Sequence, residues 1–158
     1  MPFPVPALVA LATFVLMEPV TAFLHRVVFH GFGWGLHRSH HRVRSQGLEA
    51  NDLYPVGIAA FTVTVMGIGA SVDGLSALLW AGVGMTAYGA AYFVVHDCYI
   101  HRRLRVFPAG REIALLELMA KAHELHHRFG AAPYGMLLPQ VPSDLRGEPH
   151  TGILRRPS

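Results

Sequence analysis

The chain has 158 residues, of which 52% are hydrophobic and 15% charged, with a net charge of +3 and a mean hydropathy of +0.35. Ordinary soluble domains are about one quarter charged, so this composition excludes that class and points to a membrane. The single cysteine, Cys98, excludes an internal disulfide and any cysteine-built metal centre, which leaves nitrogen and oxygen as metal ligands.

The first apolar stretch, about 3–24, is long enough to cross a bilayer, which takes about 20 helical residues. Early prolines and the pair Glu18 and Pro19 interrupt it. Without a basic start or a small-residue cleavage site, it reads as a retained span, not a signal peptide. After it, "HGFGWGLH" carries Gly31, Gly33 and Gly35, but no strand precedes these glycines and their spacing is not that of a dinucleotide loop. A turn that redirects the chain is expected there.

The second apolar stretch, about 53–70, follows Asn51 and Asp52, which are candidate helix caps, and has Pro55 in its first turn. The third, about 75–95, is rich in Gly and Ala, which suits close helix packing in lipid. Residues 112–120 are apolar but too short to span, leaving open whether a fourth helix enters the membrane or lies on it. The expected fold is all-α: an integral membrane helical bundle forming one domain over 1–142, followed by a polar, Pro-rich tail at 143–158. All thirteen basic residues fall within 26–44 and 102–156, which places both segments on the cytoplasmic side of the membrane.

Ten of the eleven histidines travel with those basic segments; His150, in the tail, stands apart and is read as a bystander. The first group reads "HRVVFH" and "HRSHH", the second "HDCYIH" and "HELHH", so H-x4-H and H-x2-H-H each occur twice, in order. Residues three and four apart share a helix face, so His37, His40 and His41 are expected to converge on one point, and His123, His126 and His127 on another. Residues five apart in an α-helix diverge by about 140°, so His25 and His30, like His96 and His101, are expected to offer one ligand to each of two metals. Ten imidazoles exceed the needs of one ion, and two metals use them. Imidazole suits iron, copper, zinc and nickel, so ligand type alone leaves the metal open.

Residues 123–127 also match H-E-x-x-H, the zinc metalloprotease pattern, with Glu124 as general base. That assignment leaves His126 and the other histidines without a role, and Glu124 is taken as incidental. Bis-histidine haem carriers and transporters place their polar groups at membrane depth, whereas these histidines gather at one surface.

In this order the motifs resemble the fatty acid hydroxylase superfamily of membrane non-haem di-iron oxygenases, and within it the bacterial β-carotene hydroxylases. The likeness covers about 18–142 and is carried by "HRVVFHGFGWGLHRSHH", "EANDLYP", "YFVVHDCYIHRR", "KAHELHH" and "YGMLLPQVP". It implies two iron ions held by His25, His30, His37, His40, His41, His96, His101, His123, His126 and His127, with O2 as co-substrate. The implied reaction is hydroxylation at C3 of a β-ionone ring, taking β-carotene to zeaxanthin through β-cryptoxanthin, with di-iron hydroxylation of another lipid, a sterol or fatty acyl chain, as the alternative. The implied partners are the carotenoid (β-carotene or a ketolated derivative), an electron donor such as ferredoxin with its reductase, and the lipid bilayer of a bacterial cytoplasmic membrane; nucleic acid is not among them. Glu124 and the short segment after Arg128 depart from the family pattern and bear on substrate preference.

Acidic residues near the histidines are candidates to orient imidazole N–H groups: Asp97 beside His96, and Glu49 with Asp52. Asp52 reads equally as a helix cap and Glu49 as a solvated loop charge. Glu18 is costly to leave unpaired in lipid and is expected to pair with a ligand histidine or an arginine. Phe29, Phe32, Trp34, Tyr92 and Phe93 are candidates to line the approach of a substrate ring, with core packing or interfacial anchoring as the competing role. No nicotinamide or flavin fingerprint is present, so electrons are expected from a partner; the basic surface suits an acidic donor and equally suits anionic headgroups.

Overall fold

The computed structural model describes residues 4–42, 47–104, 106–108 and 113–139, and no strand occurs among them. Its α-helices are α1 (Val5–Leu24), α2 (Trp34–His41), α3 (Leu53–Ser71), α4 (Ser76–Phe93) and α5 (Ala114–Phe129). Two of these do not stop where their α-helical geometry ends. α1 continues as a π-helix over His25–Phe32, and α4 continues as one over Val94–Ile100.

Three helical runs are long and apolar enough to cross a membrane: Val5–Phe32, Ala50–Ser71 and Ser76–Ile100, with mean hydropathies of 2.0, 1.7 and 1.5. Their outer faces are apolar, with Leu8, Leu11, Val15, Leu16, Phe61 and Val63 all more than half exposed. Such faces fit hydrocarbon and associate the chain with a membrane. Pro6 is accommodated in the first turn of α1, where a backbone N–H has no helical partner to lose. Within the apolar runs, the hydroxyls of Thr62, Thr64 and Thr86 donate to carbonyls four residues back, so none faces lipid unsatisfied.

α4 packs against both α1 and α3. Between apolar helices in lipid, close van der Waals contact replaces the hydrophobic drive, and small residues permit it. A Cβ on Gly84 would collide with the Ala10 carbonyl and Thr13 of α1. At the histidine end, Val95, Tyr99, Ile100, Met119, Ala120 and Met136 form a buried apolar cluster that docks α5 on the π-helical end of α4. α5 has 16 residues and is not among the helices able to span. Glu112, the tail at 143–158 and His150 with it lie outside the described residues.

The chain turns between the first π-segment and α2. Gly31, at φ −95° and ψ −123°, breaks the helical run. Gly33 follows in close contact with α3: the Tyr54 hydroxyl donates to its carbonyl at 2.7 Å, and a Cβ there would strike that hydroxyl.

Candidate metal centre

The two H-x4-H pairs lie along the two π-helical segments, with His101 as the C-cap of the second. In a π-helix the backbone bond runs from residue i to i+5, so side chains five apart stack on one face. The His101 N–H donates to the His96 carbonyl at 2.8 Å in this register, and the Gly33 N–H donates likewise to the Val28 carbonyl. The expected divergence of these pairs is therefore corrected: it assumed α-helical geometry. His25 and His30 enter one cluster together, and His96 and His101 enter another.

The H-x2-H-H triplets also depart from expectation, because neither converges on a single point. At about 100° per residue in an α-helix, positions i and i+4 differ by about 40° while i+3 falls about 60° to the other side. Each triplet thus straddles two sites. The first cluster joins His25, His30, His37, His41 and His126; the second joins His40, His96, His101 and His123, with the donor atoms of each within 4.8 Å of one another. His127 adds to the second, its Nε2 3.1 Å from that of His40. The middle histidine of each triplet, His40 or His126, crosses to the cluster built mainly by the other half of the chain.

The ring nitrogens reveal what these clusters fit. Burial pushes His37 and His126 down to about 4 and His40 well below its ordinary value, so these rings are neutral near pH 7. A neutral imidazole has one N–H and one lone pair. His25 Nδ1 lies 3.0 Å from the Tyr134 carbonyl and His37 Nδ1 lies 2.7 Å from Asn51 Oδ1, so each Nδ1 carries the proton. Their Nε2 lone pairs then face each other at 3.0 Å. In the second cluster His96 Nδ1 meets Asp97 Oδ2 at 3.0 Å, His40 Nδ1 meets Glu49 Oε2 at 3.5 Å, and the two Nε2 atoms again lie 3.0 Å apart.

Opposed lone pairs repel unless a cation lies between them, and each cluster contains such a pair. With metal–nitrogen bonds of about 2.1 Å, neighbouring ligands stand about 3.0 Å apart in an octahedron and about 3.4 Å apart in a tetrahedron. The closest Nε2 pairs measure 2.9 to 3.2 Å, matching the octahedral edge. Two all-nitrogen sites of this form suit a first-row transition metal.

The acidic candidates divide by position. Asp97 and Glu49 touch His96 and His40 as described, whereas Asp52 touches no histidine directly. Asp52 accepts the Glu49 N–H at 2.9 Å and both guanidinium nitrogens of Arg103 at 2.6 Å. Arg103 also donates to Asp97 Oδ1 at 2.9 Å, so Asp52 reaches His96 through two intermediates. Its bonds to Asp52 hold the guanidinium firmly protonated. Sequence reasoning missed Arg103, which reads there as one more cytoplasmic charge, and missed Asn51 as a partner of His37. Glu18 is corrected: it pairs with backbone amides and the Tyr88 hydroxyl, not with a histidine or an arginine, because a loop returns over it. Glu124 is buried in α5 and belongs to neither cluster.

Among the aromatic candidates, Trp34 lies beside His30 and His41 at centroid distances of 5.2 and 5.3 Å. Phe29 stacks on Tyr54 at 3.9 Å and neighbours His25 and His37, while Tyr92 flanks His96 at 5.0 Å. Phe32 and Phe93 are 86% and 46% exposed and stand away from the rings. Tyr134, not singled out from sequence, neighbours His25, His30 and His126.

Long apolar helices ending in two largely buried histidine clusters define an all-helical protein, among the described residues, with paired sites able to hold metal. The chain belongs to the fatty acid hydroxylase family, whose model matches residues 10–141, and is accordingly a hydroxylating oxidoreductase. It is 39% identical over 137 residues to a β-carotene hydroxylase of Pantoea ananas, covering 83% of this chain and 75% of that protein. A β-carotene hydroxylase of Pseudescherichia vulneris is 36% identical over 144 residues, covering 89% and 80%. The chloroplastic β-carotene 3-hydroxylase 1 of Arabidopsis thaliana is 35% identical over 126 residues, covering 77% of this chain and 40% of that longer protein. No solved structure matches the chain.

Proposed function

We propose that this chain hydroxylates C3 of the β-ionone ring of a carotenoid, taking β-carotene to zeaxanthin through β-cryptoxanthin. The observation that carries this is the pair of adjacent all-histidine clusters at the ends of lipid-facing helices, in a chain whose relatives bear the name β-carotene hydroxylase. The ten histidines would hold two iron ions, His25, His30, His37, His41 and His126 in one cluster and His40, His96, His101, His123 and His127 in the other. Bound there, iron would supply the oxidising chemistry by which O2, two electrons and two protons place one oxygen atom on an unactivated ring carbon and release the other as water.

The chain's own residues do the rest. Tyr134, Asn51, Asp97 and Ala131 accept from the Nδ1–H groups of His25, His37, His96 and His126 and so turn four Nε2 lone pairs inward, while Glu49 Oε2 lies 3.5 Å from His40 Nδ1. The polyene stays in the bilayer and presents only its ring, against Trp34 where His30 and His41 are least buried. The site faces the cytoplasmic side of a bacterial cytoplasmic membrane, as the arginine distribution favours. Exposed Arg26, Arg38, Arg42 and Arg128 there suit an acidic ferredoxin, reduced by its own reductase.

The test is pigment analysis in bacteria that accumulate β-carotene, with His40→Ala as control. Zeaxanthin is expected with the intact chain and absent with the variant. Unchanged β-carotene beside membrane-inserted, iron-loaded protein would overturn the assignment.

A further inference from the structure

Glu18 sits in α1, is 7% exposed, and spends all its bonding capacity away from the histidines. Its Oε1 accepts the N–H groups of Met136, Leu137 and Leu138 at 2.9, 3.0 and 3.0 Å. Its Oε2 accepts the Tyr88 hydroxyl at 2.5 Å and the Leu137 N–H at 3.1 Å. An acidic side chain within an apolar span is costly, so an arrangement that gives it four donors is a specific device. Three of those donors are main-chain amides of one loop.

That loop leaves α5 at Gly130, whose φ of +63° turns the chain back. On the way to Glu18 it passes the first cluster twice. The Ala131 carbonyl accepts from His126 Nδ1 at 2.7 Å and the Tyr134 carbonyl accepts from His25 Nδ1 at 3.0 Å. Both histidines belong to the first cluster. Glu49 and Asp97, which meet His40 and His96 of the second cluster, come from other segments.

We propose that Glu18 is a positioning residue for the first cluster alone: by clamping the amides of 136–138 it fixes the two carbonyls that set the tautomer and ring angle of His25 and His126. It therefore governs how tightly that cluster binds metal and leaves the second cluster unaffected. This rests on the proposal that the clusters hold two metals. The clamp can also be opened from the loop side, because a Cβ on Gly135 would stand 2.6 Å from Glu18 Oε1.

The experiment is titration of detergent-purified, metal-stripped protein with Co(II), whose ligand-field absorption reports each ion bound, against a competing chelator. The wild-type chain should fill two sites, one abolished by His25→Ala and the other by His123→Ala. Glu18→Ala and Gly135→Ala should each weaken the His25 site about 10- to 100-fold, the usual effect of removing an outer-shell partner, with far-UV helix content unchanged. Glu18→Gln should fall between them and wild type, since its amide oxygen still accepts the loop amides. If Glu18→Ala does not fold, Gly135→Ala and Glu18→Gln carry the test. Equal weakening of both sites, or of neither, overturns the role of Glu18 while the two-metal proposal stands; a wild-type chain that binds fewer than two ions overturns both.

Discussion

Arg103 braces the second cluster from outside, through Asp97. Its guanidinium bridges Asp97 and Asp52, and Asp97 in turn holds His96 Nδ1. Removing it leaves two partly buried carboxylates facing each other and frees the ring of His96. Arg103→Ala should cost about 10- to 100-fold in metal affinity at the second cluster, measured by chelator competition. Arg103→Lys should recover little, because a single ammonium cannot reproduce a planar fork with two carboxylates. At this scale the sequence showed the histidines and two of their acidic neighbours. The carbonyls of Ala131 and Tyr134 were not legible, since any residue type supplies a carbonyl and only the folded loop says where it points.

The apolar helices were legible as elements because span length and composition are local properties. The π-helical ends of α1 and α4 were not, although they decide which histidines meet. An α-helical reading of H-x4-H sends its members apart, whereas the i to i+5 register stacks them. The clue was present in the recurrence of the same five-residue separation after two different spans. An indel experiment follows from this register. Deleting Val28 leaves three residues between His25 and His30, a spacing that an ordinary α-helix also places on one face. Inserting an alanine after Val27 leaves five between them, which neither helix type can align. The deletion should retain measurable metal in the first cluster and the insertion should lose it, read as iron per chain by elemental analysis.

Across the whole molecule, the two clusters are interlocked. His40 joins a cluster otherwise formed after residue 95, and His126 joins one otherwise formed before residue 42. Metal bound there would link the halves as a cross-brace, beyond the packing of α4 on α1 and of α5 on the end of α4. Chelation should therefore lower the thermal midpoint and re-addition should restore it. One site filled at 100 times its dissociation constant contributes about 2.7 kcal/mol to stability, and calorimetry in detergent measures the difference. Unchanged melting on chelation would show that the halves are joined by packing alone. The crossing also fixes a timetable for assembly. A chain emerging from the ribosome exposes His25, His30, His37 and His41 long before residue 126 exists, so neither centre can be completed during synthesis of the first half. Maturation must wait for α5, and a product truncated before that helix is born inert, its early histidines unable to capture a finished centre on their own.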